Sequence, residues 1–78
     1  MSYYISMSNV QERFGKGIKK RRIELGFSQE KLAEIAGVHR TYLADVERGE
    51  RNISLENIHK IISALNLSPS DFYKKYFE

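Results

Sequence analysis

Cysteine is absent from the 78 residues, which removes disulfides and thiolate metal sites from consideration. The two histidines, His39 and His59, fall on different predicted helices with no cysteine to join them, so no metal centre is expected. No apolar run approaches the roughly 18 residues that a membrane span needs. Met1 to Met7 is too short and too polar for a secretory signal, so the expected location is cytoplasmic, with no membrane partner. Strand-like alternation is missing too. Without it there is no strand-borne glycine loop for phosphates and no strand-turn-helix setting for a nucleophilic serine, so neither an enzyme nor a cofactor is expected. Repeats, low-complexity tracts and linkers are likewise absent. What remains is enough for one small domain. Such a domain buries only about two-thirds of the surface its unfolded chain exposes, so dimerisation is a plausible supplement to its core.

The stretch Ser28 to Gly49 organises the chain. Ser28 has the side chain to cap a helix by accepting a free backbone N–H. Leu32, Ile35 and Ala36 then recur at helical spacing. Gly37 ends that helix, since glycine enters the left-handed conformation without a Cβ penalty. Val38 fills the turn, Leu43 and Val46 give the next helix its apolar face, and Gly49 ends it. Ala33 is small enough for the two helices to cross closely. The pattern is a helix-turn-helix.

Upstream, residues 1–8 lack a helical period and read as an arm, with Ser8 and Gln11 spaced as a capping box for a first helix starting near Asn9. Val10, Phe14 and Ile18 share one face of that helix, Leu25 lies near the same stripe, Gly26 closes it and Phe27 plugs the gap beyond. Gly15 and Gly17 each cost about 1 kcal/mol in a helix, and nothing in the sequence explains Gly17. Downstream, Ser54 caps a fourth helix striped with Leu55, Ile58, Ile61, Ile62 and Leu65, which ends at Asn66. Ser68 and Pro69 open a short fifth helix crowded with Phe72, Tyr73, Tyr76 and Phe77. The expected fold is all-α, five helices, with residues 9–78 as one helix-turn-helix domain that includes the C-terminal helix.

The net charge of +3 is unevenly placed. Residues 1–30 carry six Lys/Arg against three Asp/Glu, whereas the two signs balance over the rest of the chain. The excess lies in Lys16, Lys19, Lys20, Arg21 and Arg22, a candidate basic edge for phosphates.

At Gln29, Leu32, Ala33, Gly37, Val38, Leu43 and Glu47-Arg48-Gly49 the chain resembles the Cro/lambda-repressor-type (XRE) family of DNA-binding proteins. The runs His39-Arg40-Thr41-Tyr42-Leu43 and Glu47 to Ser54 are most similar to the controller proteins of restriction–modification systems. The resemblance spans roughly Val10 to Phe77. It implies a compact lambda-repressor-like fold acting as a homodimer on a roughly palindromic DNA operator, without a small-molecule effector. It also implies a structural bridge between Arg22 and Glu47, with direct phosphate contact by Arg22 as the alternative. Gly15 matches a family glycine, whereas Arg21 stands where relatives carry leucine, so its stem is expected to cover apolar surface with the head in water.

With Leu43 set to the core, Thr41, Asp45 and Arg48 point outward at 100° per residue and Ala44 lies at the edge. The N-terminal part of this second helix is the part that meets base edges in the major groove. Arg40 is the candidate for bidentate contact with guanine, and Thr41 and Ala44 for neighbouring bases or thymine methyls. Asp45 either accepts from cytosine or pairs internally with Arg48. Ser28, Gln29, Tyr42, Arg48, Arg51 and Asn52 are the phosphate candidates, Gln29, Arg51 and Asn52 by resemblance. Leu67, Phe72, Tyr73, Tyr76 and Phe77 form the expected dimer interface: Phe72, with Tyr76 one turn on, closes the core over Leu65 and Leu67, and the remaining aromatics are left for a partner, the alternative being that all four finish the core. Glu30 and Glu34 match positions where activators of this family present an acidic patch to RNA polymerase. The reading is a controller of its own and a neighbouring endonuclease promoter. A stand-alone repressor, for instance of a prophage, and an antitoxin are the alternatives.

Overall fold

A computed structural model of the chain describes residues 9–77. The arm over residues 1–8, including Ser8, and Glu78 lie outside the described residues. Five helices and no strand occur among the described residues: α1 (Val10–Glu24), α2 (Gln29–Ala36), α3 (Arg40–Glu47), α4 (Leu55–Ala64) and α5 (Pro69–Lys75).

Local chemistry sets the boundaries. The hydroxyls of Ser28, Ser54 and Ser68 accept the backbone N–H groups of Lys31, Asn57 and Asp71 at 3.0, 3.1 and 3.1 Å. Each such cap is worth about 1 kcal/mol. Asn9, at the start of α1, makes no side-chain cap, and Gln11 donates instead to Asn52 Oδ1 at 2.8 Å, tying α1 to the loop after α3. Four of the five helix ends share one device: at the close of α3, Gly49 has φ +78°, its N–H bonds the carbonyl of Val46, and the N–H of Glu50 bonds that of Asp45. Asn66 supplies the same left-handed residue after α4, as its sequence position predicts.

α1 packs across α3, α2 lies against both α3 and α4, and α5 closes on α4. Ile18, Leu32, Leu43, Ile61, Ile62, Leu65 and Phe72 are fully buried between them. The two glycines of α1 are points of contact. A Cβ on Gly15 would lie 2.3 Å from the carbonyl oxygen of Val46, and one on Gly17 2.6 Å from that of Tyr76. Gly17 therefore lets the end of α5 press on α1, which accounts for a residue that helix propensity alone disfavours.

Four expectations are corrected. Phe72 is 0% exposed, tilted against Phe14, edge-on to Tyr73 and stacked on Tyr76; it closes the core as expected and, wholly buried, offers nothing to the dimer interface it is also counted in. Leu55, placed on the apolar stripe of α4, is 71% exposed, and Ile35 and Val10 also face outward, because their helices roll toward Ile61, Leu32 and Phe14. The head of Arg21 is not in free water. It donates through Nε to the carbonyl of Leu65 at 3.1 Å and through Nη1 to the Tyr76 hydroxyl at 3.4 Å, 3.8 Å from the Glu24 carboxylate. Tyr76 donates its hydroxyl proton to Glu24, and that bond, with burial second, holds its pKa above the usual tyrosine value. This polar cluster clamps three helix ends, those of α1, α4 and α5. Fourth, the basic edge shrinks to Lys16, Lys19 and Lys20, since Arg21 and Arg22 turn inward.

Candidate nucleic-acid interface

The interface rests on a charge pair under its surface. Arg22 of α1 is 9% exposed and Glu47 of α3 7%. Arg22 donates through Nε to Glu47 Oε2 at 2.7 Å and through Nη2 to Oε1 at 3.0 Å, and its Nη1 donates to the carbonyl of Phe27 at 2.9 Å. The fork of a guanidinium fits a carboxylate in only one plane, so the pair sets the angle of α3 on α1 as well as neutralising two desolvated charges. This burial removes the alternative of Arg22 facing phosphate. Gln29, at the first turn of α2, adds a bond from Nε2 to Glu47 Oε1 at 3.0 Å. One amide hydrogen of Gln29 is thus committed inward and the other stays available. The anchor joins α1, α2 and α3, the three elements that aim the recognition helix.

On that base α3 turns its outer side to solvent. Thr41 and Arg48 are exposed and Asp45 half-exposed, as the helical count predicts, and Arg40 is exposed at the helix start. Ala44 departs from it: at 8% exposed it faces the core side, leaving little of its methyl for a base. His39 precedes the helix without a side-chain cap. Ser28, already bonded to Lys31 N–H, keeps an exposed position at the start of α2.

Asp45 pairs with Arg48, the internal option, but it has a second partner that spacing does not reveal. Arg51 Nε stands 3.4 Å from Asp45 Oδ2, while Arg48 Nε also donates to Glu50 Oε1 at 3.1 Å. The left-handed turn at Gly49 brings Arg51 back over the helix that it follows. Arg51 also lies over the Tyr42 ring, 5.0 Å from its centroid, a cation–π contact. The Tyr42 hydroxyl accepts from Asn57 Nδ2 at 3.1 Å, so its own proton can point outward. Asn57 was not among the sequence candidates. Asn52 holds Gln11, leaving its amide hydrogens to reach out. Glu30 and Glu34 are exposed on α2, Glu34 loosely paired with Lys31 at 3.9 Å.

The arrangement is a convex helix edge bearing guanidinium, hydroxyl and amide groups, held from below and flanked by a helix N-terminus. It suits a groove lined with acceptors. A helix-turn-helix family profile matches residues 18–72, so the chain belongs to the helix-turn-helix family. Among its relatives are control proteins, alongside other transcriptional regulators and a phage immunity repressor. The control protein C.BamHI of Bacillus amyloliquefaciens is 46% identical over 65 residues, covering 82% of this chain and 80% of that one. C.SmaI of Serratia marcescens is 41% identical over 64 residues, covering 82% and 76%. Among solved structures, the restriction–modification controller protein C.AhdI of Aeromonas hydrophila is 42% identical with a TM-score of 0.77, covering 80% of this chain and 94% of that chain. The C.Esp1396I controller tetramer, in complex with its natural 35 base-pair operator, gives 30% identity and a TM-score of 0.80 over 95% and 90%.

Proposed function

We propose that this chain is a cytoplasmic, homodimeric transcription regulator that binds a palindromic operator and controls its own promoter and that of a restriction endonuclease. The observation that carries the reading is the exposed edge of α3, fixed by the buried Arg22–Glu47–Gln29 anchor at the last residue of that helix. Arg40 and Thr41 read bases; Gln29, Tyr42, Arg48, Arg51 and Asn52 grip the backbone, and Ser28 holds the helix start that faces it. Ala44 serves as the small residue that permits close approach.

The dimer face follows from the surface left after Phe72 is assigned to the core. Tyr73 is 42% exposed and lines a shallow groove with Val10, Phe14, Asn52, Ile53 and Ile58. Leu55, 71% exposed, lies outside this strip, on α4 beside His59, Lys60 and Ser63. This strip adjoins the loop carrying Asn52, so pairing across it sets two recognition helices on either side of a dyad. Leu67, Tyr76 and Phe77 are half-buried and contribute at most their edges. Glu30 and Glu34 form a surface for RNA polymerase beside the bound DNA.

The test is selection of bound sites from random duplexes, first with the native protein and then with Arg40→Ala. A palindromic consensus is expected, with the variant losing preference at one position per half-site. A variant that keeps the full consensus would remove Arg40 from base reading. No consensus at all would remove the function.

A further inference from the structure

The carboxylate of Asp45 sits on the DNA-facing side of α3, where a negative charge opposes every phosphate. It holds both Arg48 and Arg51, the two arginines nearest it, with its side chain only 23% exposed against 55% and 48% for theirs. Glu50 takes a second edge of Arg48. Arg51 is further pinned on the Tyr42 ring. Resting on the reading of α3 as the DNA-binding edge, we propose that Asp45 is a specificity determinant that works by withholding Arg48 and Arg51 from non-specific DNA.

The physical argument is a difference between two complexes. Non-specific binding comes almost wholly from cations neutralising phosphates, and each such contact adds about 0.9 to the salt slope on duplex DNA. While Asp45 holds them, two arginines contribute nothing to that sum, and the carboxylate itself repels the backbone. On the operator, base contacts by Arg40 and Thr41 press α3 into the groove. Phosphates then compete for the two guanidinium groups at short range. The exposed ion pairs are weak enough to be exchanged in that setting. Asp45 thus weakens the wrong complex more than the right one, which is how specificity is raised without adding a contact.

The experiment measures binding of the native protein, Asp45→Asn and Asp45→Ala to the selected operator and to an unrelated duplex, from 50 to 300 mM salt. Both variants are expected to bind the unrelated duplex about tenfold tighter at 50 mM salt, with a slope steeper by about 1 to 2. Operator affinity changes by less, so the ratio of the two falls. In an Arg48→Ala, Arg51→Ala background the same Asp45 change should have most of its effect removed. A full effect in that background would mean that bare charge, not withheld arginines, is responsible. Unchanged binding to the unrelated duplex would also overturn the proposal. So would selective loss of operator binding, which would make Asp45 a base reader. A native protein that prefers no duplex would sink the DNA-binding reading itself, and is recognised from the native arm alone.

Discussion

Truncating Glu47 to alanine should remove more stability than any surface change on the same helix. The Glu47 side chain is 3% exposed and that of Arg22 11%, and the carboxylate accepts three hydrogen bonds, two from Arg22 and one from Gln29. Glu47→Ala leaves the guanidinium with one partner, the carbonyl of Phe27, and strands a charge that water reaches poorly. Breaking a buried pair from one side costs about 3–5 kcal/mol. A 78-residue domain has roughly 4–12 kcal/mol in all. The loss should therefore lower the melting temperature by about 12–40 °C, at about 4–8 °C per kcal/mol for a domain of this size. Urea and thermal unfolding followed by far-ultraviolet circular dichroism would measure it. The double variant Arg22→Met, Glu47→Leu should recover much of the loss, because two apolar side chains leave no orphaned charge. A cost below about 1 kcal/mol for Glu47→Ala would show that water reaches the pair, and the account of α3's fixed angle would fail with it.

Four further outcomes are expected. Gly17→Ala should destabilise by about 1–2 kcal/mol by thermal melting, since overpacking against Tyr76 and Phe72 outweighs the roughly 1 kcal/mol gained in helix propensity; a stabilised variant would contradict the close approach. Arg51→Ala should weaken operator binding at every base alike and reduce the operator salt slope by about one, read by titration at several salt concentrations; loss of base preference would make it a reader instead. Tyr73→Glu should sediment as a folded monomer, whereas a native-like dimer would move the interface off the α5 groove. Glu34→Lys should abolish promoter activation in a reporter assay while operator binding persists, and equal loss of both would argue against a polymerase surface.

Much of the fold was legible because it is written in short-range chemistry. Ser28, Ser54 and Ser68 act within three residues of their own helix starts, and Gly37, Gly49 and Asn66 within one turn of the helix ends. Such signals need no knowledge of what lies across the core. Gly17, Arg21 and Leu55 could not be read so, because each depends on a partner element: the end of α5, the last carbonyl of α4, and a roll of α4 toward Ile61. The division of the α5 aromatics between core and interface is hidden for the same reason. The count of aromatics on α5 is visible in the sequence, but how many the core accepts depends on the space that Gly17 leaves.

The interface divides along the same line. Arg22 and Glu47 stand 25 residues apart, and only the family resemblance pairs them in advance. Thr41 and Arg48 are exposed where helical counting puts them, and Arg40 is exposed at the start of α3. Asp45 shows where counting stops. The three-residue step to Arg48 is a property of the helix and is readable. The six-residue step to Arg51 crosses Gly49, and only the reversal of the chain at φ +78° turns that separation into a contact. A glycine that reads as a stop signal is thus also the residue that brings a second cation to the recognition helix. Any Cβ at position 49 would meet Glu12 of α1 within 2.8 Å, so the turn, the packing of α1 and the charge balance of the exposed edge of α3 depend on one small residue.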